Sequence, residues 1–320
     1  MLTITNKEHF GLQRKVVANM TTEGWQNAPH VTYQYEPDVT EVLQLLKKIN
    51  AGRSAENKIT INTLMLKIIA EGLKAAPIMN SHITYHKGLV KGVLQTAKEI
   101  NISMPMIMPD GQMMTVNIRG FEHMNLDEIA EKIEDTRRRA ENTILDEAMF
   151  EASMYNTFQE LRHGRILKVM GRLLGSLVGK QKIERLRGED KRRYESIPTC
   201  DRLTGLDIAQ GTITVSNLGS LNRNLPGSVT LLDIIPPQVC AIGLSAVQKK
   251  AAVVADRTGK PLLQTRKILP MCIAFDHRAM DFGDIVPFME RTEAIFKNPS
   301  VIYDWLDKSI LGTFQLLKNA

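Results

Sequence analysis

Between Ala274 and Asp284 the chain reads AFDHRAMDFGD, which brings one histidine, one arginine and three aspartates into a single short run. An imidazole that is neutral near pH 7 can take a proton from a thiol or a hydroxyl. His277 is followed four residues later by Asp281, a carboxylate placed to support it. The run is not a kinase signature, because D-F-G at 281–283 follows H-R-A rather than H-R-D and no G-x-G-x-x-G loop lies upstream. A metal site is disfavoured as well. His9, His30, His82, His86, His123 and His163 offer no second ligand pair at a telling interval, and Cys200, Cys240 and Cys272 form no C-x-x-C spacing. The plain alternative is a satisfied turn histidine, with Asp281 capping the next helix. Taken by itself, the run leaves catalysis and capping equally open.

The elements around the run decide how it is presented. PLLQTRKILPMCIAF reads as strand leading into it, and the stretch from Asp284 reads as a helix with Ile285, Phe288, Met289, Ile295 and Phe296 on roughly one face. His277 is therefore expected at a strand end, where a rigid sheet fixes a side chain and a loop leaves it accessible. Further strands are expected at Val31–Tyr35, Ile83–Tyr85, Ile100–Met108 and Gln112–Ile118, with Pro109-Asp110-Gly111 as a turn. GTITVSNLG (Gly211–Gly219), QVCAIGLSAV and KAAVVAD are strand-like, the last closed by a hairpin turn at Asp256-Arg257-Thr258-Gly259. Helices are expected after Asp38 or Thr40, after Thr60 or Asn62, and from Asn125 toward Arg139. This pattern predicts one α/β domain over 1–320 with an insertion at about 145–200.

Composition narrows the function classes. The chain has 320 residues, with 43% hydrophobic and 24% charged, as in ordinary globular proteins. Aromatics are only 5% against 16 methionines, which argues against stacking platforms for single-stranded nucleic acid. From Leu161 to Arg193 there are eleven Lys or Arg residues and three Asp or Glu, so this one segment exceeds the chain's net charge of +6 and leaves the remainder slightly acidic. That distribution disfavours nucleic-acid binding. Ile166, Leu167, Met170, Leu173, Leu174, Leu177 and Val178 gather on one side of a helical wheel in the segment, opposite Arg165, Lys168 and Arg172. Such a helix can pack on its own protein or an oligomer partner, or lie on an anionic membrane surface. The start MLTITNKEHF has no signal-peptide pattern, and a cytoplasmic location is expected.

Several stretches, in order along the chain, carry a family resemblance. Asp276-His277-Arg278 with Asp281 resembles the DHRxxDG signature of the dihydrolipoyl acyltransferase catalytic domain of 2-oxo acid dehydrogenase complexes, which is related in fold to chloramphenicol acetyltransferase. PHVT with EPDVT, preceded by Arg14-Lys15, resembles the family's first strand and helix. APIMNSHI is similar to its P-x-x-N stretch, NLDEIAEKIED to its S-L-x-E-I-A helix, and GTITVSNLG to GTFTISNLG. IIPPQVCAIG is similar to its I-N-P-P-Q strand and FKNPSVI to its C-terminal E-x-P-x-x-L.

The resemblance implies a chloramphenicol acetyltransferase-like α/β sandwich, with a mixed β-sheet and flanking helices, that forms a homotrimer with active sites between subunits. It implies His277 as general base, Ser216 as the hydroxyl that stabilises the oxyanion, and Asp281 as a structural carboxylate ion-paired with Arg14. Coenzyme A or acyl-CoA is the implied substrate. Arg202 is the candidate cation for its phosphates, and Asn217 and Phe275 are candidate channel residues. No metal is implied. Phe282 departs from the pattern by standing where the family has glycine, with Gly283 one place later. The family's lipoyl and subunit-binding segments have no counterpart in these residues, so an acyl-carrier or lipoyl protein acting in trans, and a larger assembly, are implied. The expected activity is CoA-dependent acyl transfer to a thiol, alcohol or amine. The alternative is a non-catalytic trimeric scaffold, or a relative that docks a membrane or partner.

Overall fold

The computed structural model describes residues 3–108, 111–162, 185–221, 227–255 and 258–307. The chain divides into two compact units. The first comprises Met1–Glu23, Met106–Asn117 and Asp135–Gln210; the second comprises Gly24–Pro105, Ile118–Glu134 and Gly211–Ala320.

The second unit is built on a sheet. Its strands are β1 (His30–Tyr35), β4 (Ile102–Ile107), β6 (Ile213–Asn217), β7 (Cys240–Leu244) and β10 (Met271–Asp276), ordered β1, β10, β7, β6, β4. β1 and β7 flank β10 antiparallel, whereas β6 runs parallel to β7 and to β4. The sheet is therefore mixed. Every residue of β7 and β10 is buried, which matches their nearly unbroken apolar runs and marks strands covered on both faces.

Helices α2 (Thr40–Ile49), α3 (Ile61–Ala75) and α7 (Phe282–Lys297) belong to the same unit. The Thr60 hydroxyl starts α3 by accepting the Thr63 N–H at 3.0 Å. A Cβ on Gly72 would stand 2.6 Å from the Phe288 ring, so a glycine lets α3 and α7 approach. The tyrosine rings of β1 meet α7, with Tyr35 and Phe296 centroids 6.4 Å apart. Gly219, which ends the GTITVSNLG stretch, is similarly constrained: a Cβ there would lie 2.6 Å from backbone atoms of Ser245 and Ala246.

Two antiparallel hairpins complete this unit, β2 (Ser81–His86) with β3 (Lys91–Thr96) and β8 (Gln248–Ala255) with β9 (Pro261–Ile268). The long PLLQTRKILPMCIAF stretch is thus split at Leu269-Pro270. Its first half pairs in a hairpin and its second half enters the sheet. The turn expected at Pro109 and Asp110, and the hairpin turn expected at Asp256 and Arg257, lie outside the described residues.

The first unit is helical. It contains most of α1 (Leu12–Asn27), the end of α4 (Leu126–Glu141), α5 (Leu145–Arg162) and α6 (Gly188–Ser196), together with the end of β4 and nearly all of β5 (Met113–Ile118). Its core is methionine-rich: Met108, Met114, Val116, Ala140, Leu145 and Leu203 are buried together, with Met106, Met149 and Ile208 packed against them. Charged pairs hold its segments in place. Arg139 grips Asp207 through two parallel bonds of 3.1 and 2.7 Å, and Glu147 accepts from Arg185 and from the Leu186 N–H, both at 2.8 Å. The described part of the expected insertion belongs to this unit. The amphipathic stripe from Ile166 to Val178 lies outside the described residues.

Candidate active site

β10 ends at Asp276, and the turn that follows is held from several sides. The Asp276 N–H donates to the Val239 carbonyl and the His277 N–H to the Pro29 carbonyl, each at 2.9 Å. The Asp276 side chain is fully buried. A charge there is tolerable only if paired. Arg278 supplies the pairing: its N–H and Nε reach Oδ1 at 2.9 and 3.0 Å, and its Nη2 reaches Oδ2 at 2.6 Å. The same guanidinium lies 5.6 Å from the Tyr85 ring centroid on β2. His277 sits between the two members of this clamp.

The His277 Nδ1 lies 3.2 Å from Asp281 Oδ1, with the side chains 53% and 79% exposed. Asp281 is also the N-cap of α7, closing a capping box in which its N–H donates to Asp284 Oδ2 at 2.7 Å. Capping and support of the imidazole, which the sequence set against each other, meet in one residue. The carboxylate meets Nδ1 at ion-pair distance, so a general base acting from this imidazole would use Nε2, the ring nitrogen on the other side.

Ser216 is nearly buried on β6. Register places it well away from His277. Ser216 pairs with Gly243, and Gly243 pairs with Cys272. His277 is five residues further along β10 than Cys272, a run of about 16 Å at the rise of a strand. Within one chain, the serine and the histidine lie at opposite ends of the sheet.

The remaining expected residues are placed as follows. The Asn217 side chain is engaged on both sides, donating to Asn62 Oδ1 at 2.8 Å and accepting the Ser220 N–H at 3.1 Å, so it anchors the turn after Ser216. Phe275 is 1% exposed, and its ring lies 6.2 Å from that of His277. It therefore supports the imidazole from the core instead of lining an open channel. Arg202 belongs to the first unit, is 8% exposed, meets Glu151 at 3.3 Å and lies over the Tyr194 ring at 4.7 Å. A CoA phosphate at Arg202 would have to compete with Glu151. Arg14 is an exposed residue of α1 in the first unit, whereas Asp281 belongs to the second, where its carboxylate meets His277.

Sequence reasoning missed a half-buried histidine on β2. His82 Nε2 donates to the Gly211 carbonyl at 3.1 Å, Gln238 donates to the same oxygen at 2.8 Å, and the Thr214 hydroxyl donates to Gln238 Oε1 at 2.7 Å. Burial pushes the His82 imidazole below the usual histidine range, against the opposing effect of its bond to Gly211. The P-x-x-N stretch drew attention to Asn80, and nothing local set His82 apart.

A family model for the 2-oxoacid dehydrogenases acyltransferase (catalytic domain) matches residues 3–155 and 199–303. The chain belongs to this family. The unmatched stretch between the two segments falls within the expected insertion at about 145–200. Among curated relatives, the dihydrolipoyllysine-residue acetyltransferase component of the pyruvate dehydrogenase complex of Haemophilus influenzae is 26% identical over 83% of this chain and 35% of its own length. The chain spans about half the length, or less, of the curated relatives it matches.

Among solved structures, the dihydrolipoamide acetyltransferase of Azotobacter vinelandii, in which a serine, a histidine and an asparagine were investigated for their role in the catalytic mechanism, aligns with a TM-score of 0.60. It is 19% identical, covering 93% of this chain and 94% of that one. The cubic core of the pyruvate dehydrogenase multienzyme complex aligns with the same score, identity and coverage. The fold of this family member is that of the acyltransferase catalytic cores, a mixed sheet with flanking helices.

Proposed function

We propose that this chain catalyses transfer of an acyl group between a coenzyme A thioester and a thiol, alcohol or amine acceptor. The observation that carries this reading is His277, half-exposed at a strand end, with Nδ1 3.2 Å from the Asp281 carboxylate. In the forward direction Nε2 takes the proton of the acceptor as its sulfur, oxygen or nitrogen bonds to the thioester carbon. The carbonyl oxygen becomes an oxyanion, and the Ser216 hydroxyl donates a hydrogen bond to it. Collapse breaks the carbon–sulfur bond, and the protonated His277 returns the proton to the departing CoA thiolate.

The separation of Ser216 from His277 along the sheet supports a site shared between two copies of the chain, so the reading includes a homo-oligomer, a trimer by family resemblance. The Azotobacter vinelandii enzyme supports the assignment, since the histidine and asparagine investigated there are four residues apart, as His277 and Asp281 are. Its name supports dihydrolipoamide as the thiol acceptor. Alignment with a multienzyme core supports assembly beyond the trimer. We place the reaction in the cytoplasm.

Purified protein is expected to transfer acetyl groups from acetyl-CoA to dihydrolipoamide or a simple thiol. His277→Ala is expected to abolish turnover, and Ser216→Ala to reduce kcat about 10²–10³-fold with little change in KM. Unchanged turnover in His277→Ala would overturn the assignment.

A further inference from the structure

Phe282 is the first residue of α7 and directly follows Asp281, whose carboxylate meets His277. This ring is left 47% exposed. Apolar area in water is unfavourable, so a large half-open ring beside a reactive pair asks for a reason.

Its orientation is fixed by Tyr33, with ring centroids 5.1 Å apart at an interplanar angle of 60°. Register sets Tyr33 opposite Ile273 and Val31 opposite Phe275. Side chains alternate along a strand and directly paired residues point the same way, so Tyr33, Val31 and Phe275 share one sheet face. The His277 ring, 6.2 Å from Phe275, stands at the end of that face. Phe282 thus starts directly after the wetted His277–Asp281 pair, and its ring packs on Tyr33, whose strand partner Ile273 lies four residues before His277. Apolar walls with a few placed polar groups are the usual make-up of a small-molecule site.

We propose that Phe282, held edge-on by Tyr33, is a specificity-determining wall of the His277 site and takes the aliphatic arm of the acyl acceptor. The inference rests on the acyl-transfer reading above, in which the proton that His277 removes belongs to the acceptor. The acceptor's reacting atom is then the substrate atom nearest His277, and its arm runs along the adjacent wall.

The test uses acetyl-CoA as donor and a series of straight-chain ω-hydroxyalkanethiols as acceptors. For the wild type, kcat/KM is expected to rise about two- to fourfold per added methylene, as burial against an apolar wall predicts. Phe282→Ala is expected to flatten that slope, Phe282→Leu to restore part of it, and the KM for acetyl-CoA to stay the same. An equal slope in the wild type and Phe282→Ala would overturn the proposal. So would a change of oligomeric state in Phe282→Ala by sedimentation, which would make the ring a subunit contact.

If the wild type turns over no acceptor, the acyl-transfer reading fails while the wall is still read by binding. The same thiols are then titrated while the His277 imidazole is followed by NMR. Affinity that grows with chain length in the wild type but not in Phe282→Ala supports the wall, and affinity independent of chain length overturns it.

Discussion

His277 is held in place by its two neighbours in the chain. Asp276 is fully buried and Arg278 covers both of its oxygens, so the two residues flanking the histidine are tied together. Removing the charge of Asp276 would leave the guanidinium against a neutral partner in a dry setting. Asp276→Asn is expected to cost about 2–3 kcal/mol of stability, the scale of hydrogen bonds to charged groups, and to lower kcat more than it raises KM. Chemical denaturation and steady-state kinetics with acetyl-CoA measure the two effects separately. Unchanged kcat in a folded Asp276→Asn protein would show that the clamp does not position the imidazole. The sequence made His277, Asp281 and Ser216 visible because each lies inside a short contiguous motif. The clamp was visible as the neighbours of His277, but Tyr85, which the Arg278 guanidinium faces, is reached only through the fold.

Among the elements, the same distinction holds between local and distant information. β7 and β10 were legible because their apolar runs are nearly unbroken, and α3 was legible from its Thr60 cap and the stripe that follows. β3 escaped notice because all six of its residues are exposed, so no alternation marks it. α1 escaped because it lacks a clear apolar stripe and buries only Gly24. In the first unit, charges as much as apolar residues hold the segments, and their pairing is long-range.

Asp207 shows what such a pair contributes. Burial alone would raise its pKa, but the bonds from Arg139 and Thr204 outweigh burial and hold the carboxyl below the usual aspartate range. A depressed folded pKa means that the unfolded chain binds the proton more readily. This stabilisation is therefore complete above the unfolded pKa of about 4 and is lost as pH falls through the folded value. Wild-type protein is expected to lose part of its stability below about pH 4. Asp207→Asn should be less stable near neutrality and should show a shallower acid limb, as measured by urea denaturation from pH 7 to pH 3. The same acid limb in both proteins would remove Asp207 from the account.

For the molecule as a whole, the decisive quantity is the distance along the sheet between Ser216 and His277, about 16 Å at the rise of a strand. No single chain with this register can bring a hydroxyl and an imidazole to the same thioester carbon. If both act, each site takes its serine from one copy and its histidine from another. This can be tested without a structure of the assembly. Ser216→Ala and His277→Ala are each expected to be nearly inactive as pure oligomers. Mixed oligomers made by co-expressing the two variants in equal amounts contain interfaces with an intact serine on one side and an intact histidine on the other. Random assembly in a closed ring makes about one interface in four of this kind, so activity should recover to about a quarter of the wild-type value. Mixing the separately folded variants without subunit exchange should recover none. If co-expression also recovers none, although mass spectrometry shows mixed oligomers, both groups must come from one copy of the chain, and the register of β6, β7 and β10 would then be incompatible with the proposed chemistry.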